Sequence, residues 1–403
     1  MSNRINTDSI VDLMFHLTWK SEHASHTDCF LASNVNIWRD QLPQVLLDSI
    51  MNKQAGERIE LHFKQGELLT DVDPQKIFKI QQSQFNRRSG KDSTTEPYPG
   101  RFYPKGILSG IVNVFKENID PFRVVARSNG HLKVYFNHPL AGKALTLSAF
   151  VGKVTDKRVE RGGSSTDWIE TITPGPGMQA RGGDRSSDYF SEVSFVRDDE
   201  APDSKFYDKP RFTYHLDSTA IEMVRHTYGR FLNDGMQVLD LMSSWQSHIP
   251  AKLELERFSG LGMNEEELKR NQRLSDYVVH DLNADPSLPY ESNGFDAVLC
   301  TVSIEYLIHP LTVFDEIARI LKPDGYFVIT FSNRWFPTKA IKIWKEIHEF
   351  ERMGLVMEYF IRSNKFKASK TYSIRQLPRP REDKYYPELR FSDPVFAVWG
   401  QKL

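Results

Sequence analysis

Residues 236–250 read Met-Gln-Val-Leu-Asp-Leu-Met-Ser-Ser-Trp-Gln-Ser-His-Ile-Pro. Val238, Leu239 and Leu241 form a short apolar run around Asp240, the pattern of a buried parallel strand that feeds a loop and then a helix. In open α/β sheets ligands bind at such strand ends. The first loop is usually rich in glycine, because its backbone must come close to the ligand. Here Met242, Ser244 and Gln246 hold the positions where glycine is expected. The stretch has the place of a ligand loop with a different chemistry.

Outward from it, strand and helix alternate. Further strands are expected at 257–262, 277–282, 295–302 and 326–332, and the segments 372–374 and 394–400 read as a closing antiparallel pair. Helices are expected at 219–231 and 311–321, and after Asn264, a suitable N-cap followed by three acids. Residues 206–403 therefore predict an α/β domain with a doubly wound, mostly parallel seven-stranded sheet.

The N-terminal half reads as mainly β. Residues 10–19 and 58–63 alternate as strands, and the apolar spacing around Trp38, Leu42, Leu46 and Ile50 predicts a short helix within 35–51. Two strands at 122–127 and 131–136 meet at Asn129-Gly130, a strong hairpin signal. Residues 83–106 are poor in aliphatics and belong to an insertion at about 83–120. Within it, the run from Gly100 to Gly106 reads either as a ligand-contacting loop or as one pinned by Phe102 and Tyr103. The domain is expected over 1–158, and a Gly/Ser/Pro-rich linker over 159–205, where only Trp168–Ile172 has the means to pack.

The balance of 52 Lys+Arg against 53 Asp+Glu gives no charge bias toward nucleic acid or an anionic membrane. The two cysteines, Cys29 and Cys300, have apolar neighbours and no metal-ligand spacing, as buried free thiols in a reducing compartment would. No apolar run approaches the ~20 residues of a membrane helix, and the N-terminus has no apolar signal core. A soluble cytoplasmic protein is expected.

Val134-Tyr135-Phe136-Asn137-His138-Pro139-Leu140-Ala141-Gly142-Lys143, followed by an alternating strand, resembles the SlyD-like branch of the FKBP-type prolyl isomerases. The resemblance spans roughly 8–155 and includes the turn Gln54-Ala55-Gly56-Glu57-Arg58 and an insertion in mid-domain. It implies a small, bent antiparallel sheet wrapped on a short helix. Such proteins hold a prolyl ring in an aromatic pocket, and Trp38 is either the floor of that pocket or a core tryptophan. The aromatic-acid pair ahead of the helix is missing, because Thr27-Asp28-Cys29-Phe30 stand there. A module that presents substrate or binds a protein partner is therefore expected before an isomerase, and His138 is expected to support a turn.

Phe295-Asp296-Ala297-Val298-Leu299-Cys300 and the run from Glu316 to Tyr326 resemble class I S-adenosylmethionine-dependent methyltransferases of the broad type 11 kind, over about 206–403. The resemblance implies S-adenosyl-L-methionine as cofactor. Asp240 matches the acid that orders the cofactor's amino-acid end, and Met242, Ser243 and Ser244 fall on the cofactor loop. An acid about 20 residues further on usually grips the ribose hydroxyls. That position is Gly262, and Asn264 nearby is an uncharged substitute, a helix N-cap, or both. Asp281 and Leu282 match the adenine edge, while Thr301 and Ser303 follow the fourth strand toward the methyl-transfer region. Asp240 and Asp281 also admit the reading of plain helix caps. Trp245 and His248 read as packed or capping residues, with His248 alternatively a base on a helix N-terminus. Arg334 and Lys339 are candidates for an anionic substrate, with Phe336-Pro337 as a lid.

Methyl transfer depends on positioning and exclusion of water, so no catalytic residue and no metal ligand is assigned. The expected function is transfer of a methyl group to a small molecule or protein, aided by the FKBP-like domain. The altered loop equally suits a scaffold or chaperone-like protein on a degenerate methyltransferase fold, a fold binding another adenosine-containing ligand, or a weak prolyl isomerase.

Overall fold

The structure is a computed structural model that describes residues 4–87, 95–156, 162–183 and 186–403. Parts of the expected insertion at 88–94, and of the expected linker at 159–161 and 184–185, lie outside the described residues. The chain divides into two compact units, Met1–Tyr189 with Ile347–Gly354, and Phe190–Glu346 with Leu355–Leu403.

In the first unit, β1 (Ser9–Lys20) buries every second residue, among them Val11, Leu13, Phe15, Leu17 and Trp19. That period of two is what a strand with one core face requires. β2 (Ser25–Asn36), α1 (Gln44–Ile50) and β3 (Arg58–Phe63) follow. A second, small antiparallel sheet comes next, built from β4 (Ile77–Gln81), β5 (Phe102–Pro104), β6 (Pro121–Ser128) and β7 (His131–Tyr135) in the order β4-β7-β6-β5. The chain then returns through β8 (Leu145–Asp156), which lies between β1 and β3, giving the order β2-β1-β8-β3. α1 adds Leu46 and Ile50 to the core of this sheet. The small sheet has its own core around Phe122, Val124, Leu132 and Val134. Its hairpin turns at Asn129 and Gly130, both with positive φ, as a two-residue type I′ turn demands. α2 (Trp168–Ile172) packs Ile169 and Ile172.

Two expectations are narrowed or changed here. The helix expected within 35–51 is confined to Gln44–Ile50, because β2 continues to Asn36 and a turn closed by Arg39 N to Asn36 O and Asn36 N to Asp40 Oδ2 follows it. Trp38 lies in that turn and is 51% exposed, so it is neither a core tryptophan nor a residue at a helix start. Thr27–Phe30, which stand where the aromatic-acid pair is missing, lie in the middle of β2. The Gly100–Gly106 run is the pinned kind: Phe102 and Tyr103 are buried in β5, and the Tyr103 hydroxyl donates to Glu96 O at 2.7 Å.

The second unit contains α3 (Asp203–Phe206), α4 (Ser218–Tyr228), β9 (Gln237–Leu241), β10 (Arg257–Gly262), α5 (Glu265–Arg270), β11 (Asp276–Val279), β12 (Phe295–Thr301), α6 (Pro310–Ile320), β13 (Leu321–Phe331), α7 (Lys342–Glu346), the part of α8 (Glu349–Ser363) that follows Gly354, β14 (Phe366–Arg375) and β15 (Val395–Lys402). Its strands run in the order β11-β10-β9-β12-β13-β15-β14. β11, β10, β9, β12 and β13 are parallel, and β15 is antiparallel to both β13 and β14. The register pairs Leu241 with both Leu261 and Cys300, which brings the carboxyl ends of β9, β10 and β12 level.

No helix follows β9: among the described residues, 242–256 are turns and irregular backbone. The segment has no apolar repeat at helical spacing, and Pro250 interrupts it. Asp240 is therefore not a helix cap, and His248 is not on a helix N-terminus. α7 and α8 have no counterpart among the expected elements. Residues 351–360 are all buried, so α8 lacks the wet face that makes a helical period legible. Among the described residues no helix is long and apolar enough to cross a membrane.

Candidate functional site

The end of β9 makes a sharp turn at Met242, whose φ of 57° lies in the left-handed region normally left to glycine. Ser243 N then donates to Leu261 O at 2.7 Å, tying the loop to the neighbouring strand. Gly262 permits this approach, since a Cβ there would stand 2.2 Å from Ser243 O. The glycine is not a lost acid standing in open space; the loop backbone fills the room an acid would need.

Asp240 is buried at the strand end, and both Ser243 Oγ (2.7 Å) and Ser247 Oγ (2.5 Å) donate to its Oδ2. Desolvation outweighs these two hydrogen bonds and pushes its pKa up to about 6. Oδ1 receives neither hydroxyl. Burial holds His248 neutral, with a pKa of about 4. Its Nδ1 and the Oε1 of Gln246 are buried with no hydrogen-bond partner among the described residues.

At the end of β10, Asn264 caps α5, accepting from Glu267 N at 3.0 Å while its amide donates to Tyr207 O and Asp208 O. Glu267 turns toward the loop: Oε2 accepts from Ser244 Oγ at 2.5 Å and Oε1 from Arg211 N at 2.6 Å. Asn271, the C-cap of α5, donates to Ser244 O and Ser247 Oγ, so it holds the loop at two further points.

Past β11, Asp281 closes a turn by accepting from the backbone N–H groups of Asn283 and Ala284, and Leu282 is buried beside it. Past β12, Thr301 Oγ1 lies 2.6 Å from the Tyr228 hydroxyl, and Ser303 Oγ donates to Thr301 O. Val302 between them has a φ of 41°, an outlier for a β-branched residue. Strain of this kind clusters at ligand sites.

These strand ends enclose a cavity of about 350 Å³. Asp240, Met242, Ser243, Ser244, Asn264, Asp281, Leu282, Thr301 and Ser303 all line it, so the residues singled out from the sequence share one wall-to-wall space. Sequence reading missed the outer wall, where Tyr207, Arg211, His215 and Tyr385 also line the cavity. Phe336 lines it too, packing against Phe206, His215 and Tyr306, with the Arg211 guanidinium 5.3 Å from its ring. Phe336 was expected as part of a lid; for Tyr207, Arg211 and His215 the only sequence signal was the density of aromatic and basic residues at 206–215.

Lys339 does not line the cavity. It is fully buried and pairs with Asp199 and Asp203 at 3.1 and 3.0 Å, which rules it out as a ligand for an anionic substrate. Arg334 does line the cavity, but its Nε is held by Asp393 at 3.0 Å.

The arrangement fits an adenosylated amino acid. A buried carboxylate with a raised pKa suits a cationic amino group, and unpartnered Gln246 Oε1 and His248 Nδ1 line the same space. Residues 251–329 match the family model described as a methyltransferase domain. That match supports S-adenosylmethionine as the cofactor of this unit. No curated protein matches the chain. Among solved structures, the chain is similar to an S-adenosylmethionine-dependent methyltransferase of Mesorhizobium loti, with 15% identity, 44% of this chain and 96% of that one covered, and a TM-score of 0.31. It is similar also to one of Thermotoga maritima described as a possible histamine N-methyltransferase, with 16% identity, 46% and 90% covered, and a TM-score of 0.34. A third, from Aquifex aeolicus, has 18% identity, 50% and 97% covered, and a TM-score of 0.31.

Proposed function

We propose that the second unit is a methyltransferase that binds S-adenosylmethionine in the cavity at the ends of β9, β10, β11 and β12, and methylates a small molecule or polypeptide. The observation that carries this reading is the convergence of Asp240, the 242–244 loop, Asn264, Asp281, Leu282, Thr301 and Ser303 on one cavity. Asp240 and the loop would hold the amino-acid end, with Asn264, Asp281 and Leu282 around the adenosine. When bound, S-adenosylmethionine supplies a methyl group on a sulfonium sulfur, primed for displacement by a nucleophile. The chain's own part is to orient the two reactants and exclude water. The wall of Tyr207, His215 and Phe336 supplies the apolar surface for that exclusion. The seven strands of this unit would then form the sheet that such enzymes build.

The first unit, in this reading, is an FKBP-like module of the SlyD kind that aids binding of the substrate or a partner. Its support is a helix, α1, on an antiparallel sheet, with a second small sheet inserted between β3 and β8. The half-exposed Trp38 argues against a formed prolyl pocket. The full chain should leave the isomerisation rate of a proline-containing peptide unchanged.

Calorimetric titration of the full chain with S-adenosylmethionine and S-adenosylhomocysteine tests the central claim. Saturable heat is expected with both, and Asp240→Ala and Asp281→Ala should each weaken it. No heat at millimolar ligand would end the methyltransferase reading.

A further inference from the structure

This inference rests on the reading of the cavity just given. An acid at residue 262 would grip the ribose, but the loop carbonyl of Ser243 leaves no room for any side chain there. We propose that Glu267, from the first turn of α5, is the carboxylate that binds the cofactor's ribose hydroxyls.

Glu267 lines the cavity and is 8% exposed. It stands three residues after the Asn264 cap, where a glutamate commonly reaches back to the cap's own N–H. Instead its carboxylate is aimed at the loop, and each oxygen is fixed by one neutral donor, Ser244 Oγ or Arg211 N. Among the described residues it forms no ion pair. A carboxylate has about four acceptor sites, so two remain for further donors. A buried carboxylate without a cation is costly unless donors satisfy it, and a pair of vicinal hydroxyls would do so with charge-assisted hydrogen bonds.

Ser244 links this to the altered loop. It occupies a position where glycine is expected, and its hydroxyl is what orients Glu267. A glycine at 244 would leave Oε2 without that anchor. On this account, the missing strand acid and the missing loop glycine are two parts of one relocation: the acid moves from strand to helix, and the loop gains the hydroxyl that aims it.

The experiment is calorimetric titration of the full-length wild type and Glu267→Gln with S-adenosylhomocysteine and its 2′-deoxy and 3′-deoxy analogues. In the wild type, at least one deoxy analogue should bind about tenfold or more weaker than the parent, the scale of a hydrogen bond to a charged group. E267Q should bind the parent as weakly as the wild type binds that analogue, and should lose the discrimination. Glu267→Asp, which keeps the charge but shortens the reach, should lose affinity and discrimination likewise, and serves if E267Q does not fold. Undiminished discrimination by a folded variant, or equal wild-type affinity for all three ligands, overturns the assignment of Glu267 while the cavity reading stands. Failure of the wild type to bind the parent ligand overturns both.

Discussion

The carbonyl oxygen of Ser243 lies 2.2 Å from the point where a Cβ on Gly262 would stand. The loop after β9 and the end of β10 come this close only because residue 262 has no side chain. The obstacle is backbone, which cannot swing aside as a flexible side chain would. Gly262→Ala should therefore cost about 1–3 kcal/mol in urea unfolding, as overpacking does, and should weaken S-adenosylhomocysteine binding by displacing the loop. Gly262→Asp, which restores the acid expected from the resemblance, should be worse on both counts. Tighter binding by G262D at unchanged stability would mean that the close contact is not what fixes residue 262.

Asp240 makes the apo protein sensitive to pH in a definite direction. Burial raises its pKa from 3.8 to about 6, so the folded state holds a proton that the unfolded state has already released. The associated stability is complete below the unfolded value and is lost as pH rises through the folded one. Over pH 4 to 6.5 this group alone should lower the unfolding free energy by roughly 2 kcal/mol, a slope that Asp240→Asn removes. A cationic ligand group beside Asp240 acts oppositely, favouring the ionised form. Affinity for S-adenosylhomocysteine should thus rise between pH 5 and 7, with proton release on binding near pH 5.5, and D240N should show neither. Calorimetry in buffers of different ionisation enthalpy measures both quantities.

Lys339 should matter for stability and not for substrate. Its ammonium is buried between Asp199 and Asp203 and also donates to Ala201 O at 2.7 Å. Asp203 is shared with Arg197 and with Asn283, whose side chain accepts from Ile308 N and donates to Tyr306 O. Removing one member strands the others in a dry setting, which costs about 3–5 kcal/mol. Lys339→Met should lower the unfolding free energy measured in urea by that amount, while the folded fraction binds S-adenosylhomocysteine as the wild type does. A K339M protein of full stability but reduced ligand affinity would restore the substrate role that its neighbours exclude.

What could be read in advance follows from burial. β9 and β12 are covered on both faces, so their apolar runs, Val238–Leu239 and Ala297–Cys300, stand out in the chain. The Asn264 cap was legible because its oxygen, spacing and acids agree at one place. β2 was not, since His26, Asp28 and Asn36 are buried in it and invert the alternation that marks a strand. The helix expected after β9 came from the usual sequence of strand, loop and helix, and nothing in 242–256 itself supports it. The outer cavity wall was hidden for another reason. Tyr207, Arg211, His215 and Tyr385 sit in segments without a motif, and only the path of the folded chain brings them together.

Met242 is where the loop departs most from its usual chemistry, and it offers the sharpest test of how the loop is held. A side chain at φ 57° costs about 1–2 kcal/mol relative to the right-handed region. Glycine would remove that strain but would make the unfolded chain more flexible by about 0.5–1 kcal/mol. Met242 is only half-buried, so few packing contacts oppose the exchange. Met242→Gly should then gain up to about 1 kcal/mol in urea unfolding and bind S-adenosylhomocysteine at least as tightly. Met242→Ala keeps the strained φ and should gain nothing. If M242G instead loses more than about 1 kcal/mol, the Met242 side chain holds the loop by packing, and the strain at this turn is outweighed by that contact.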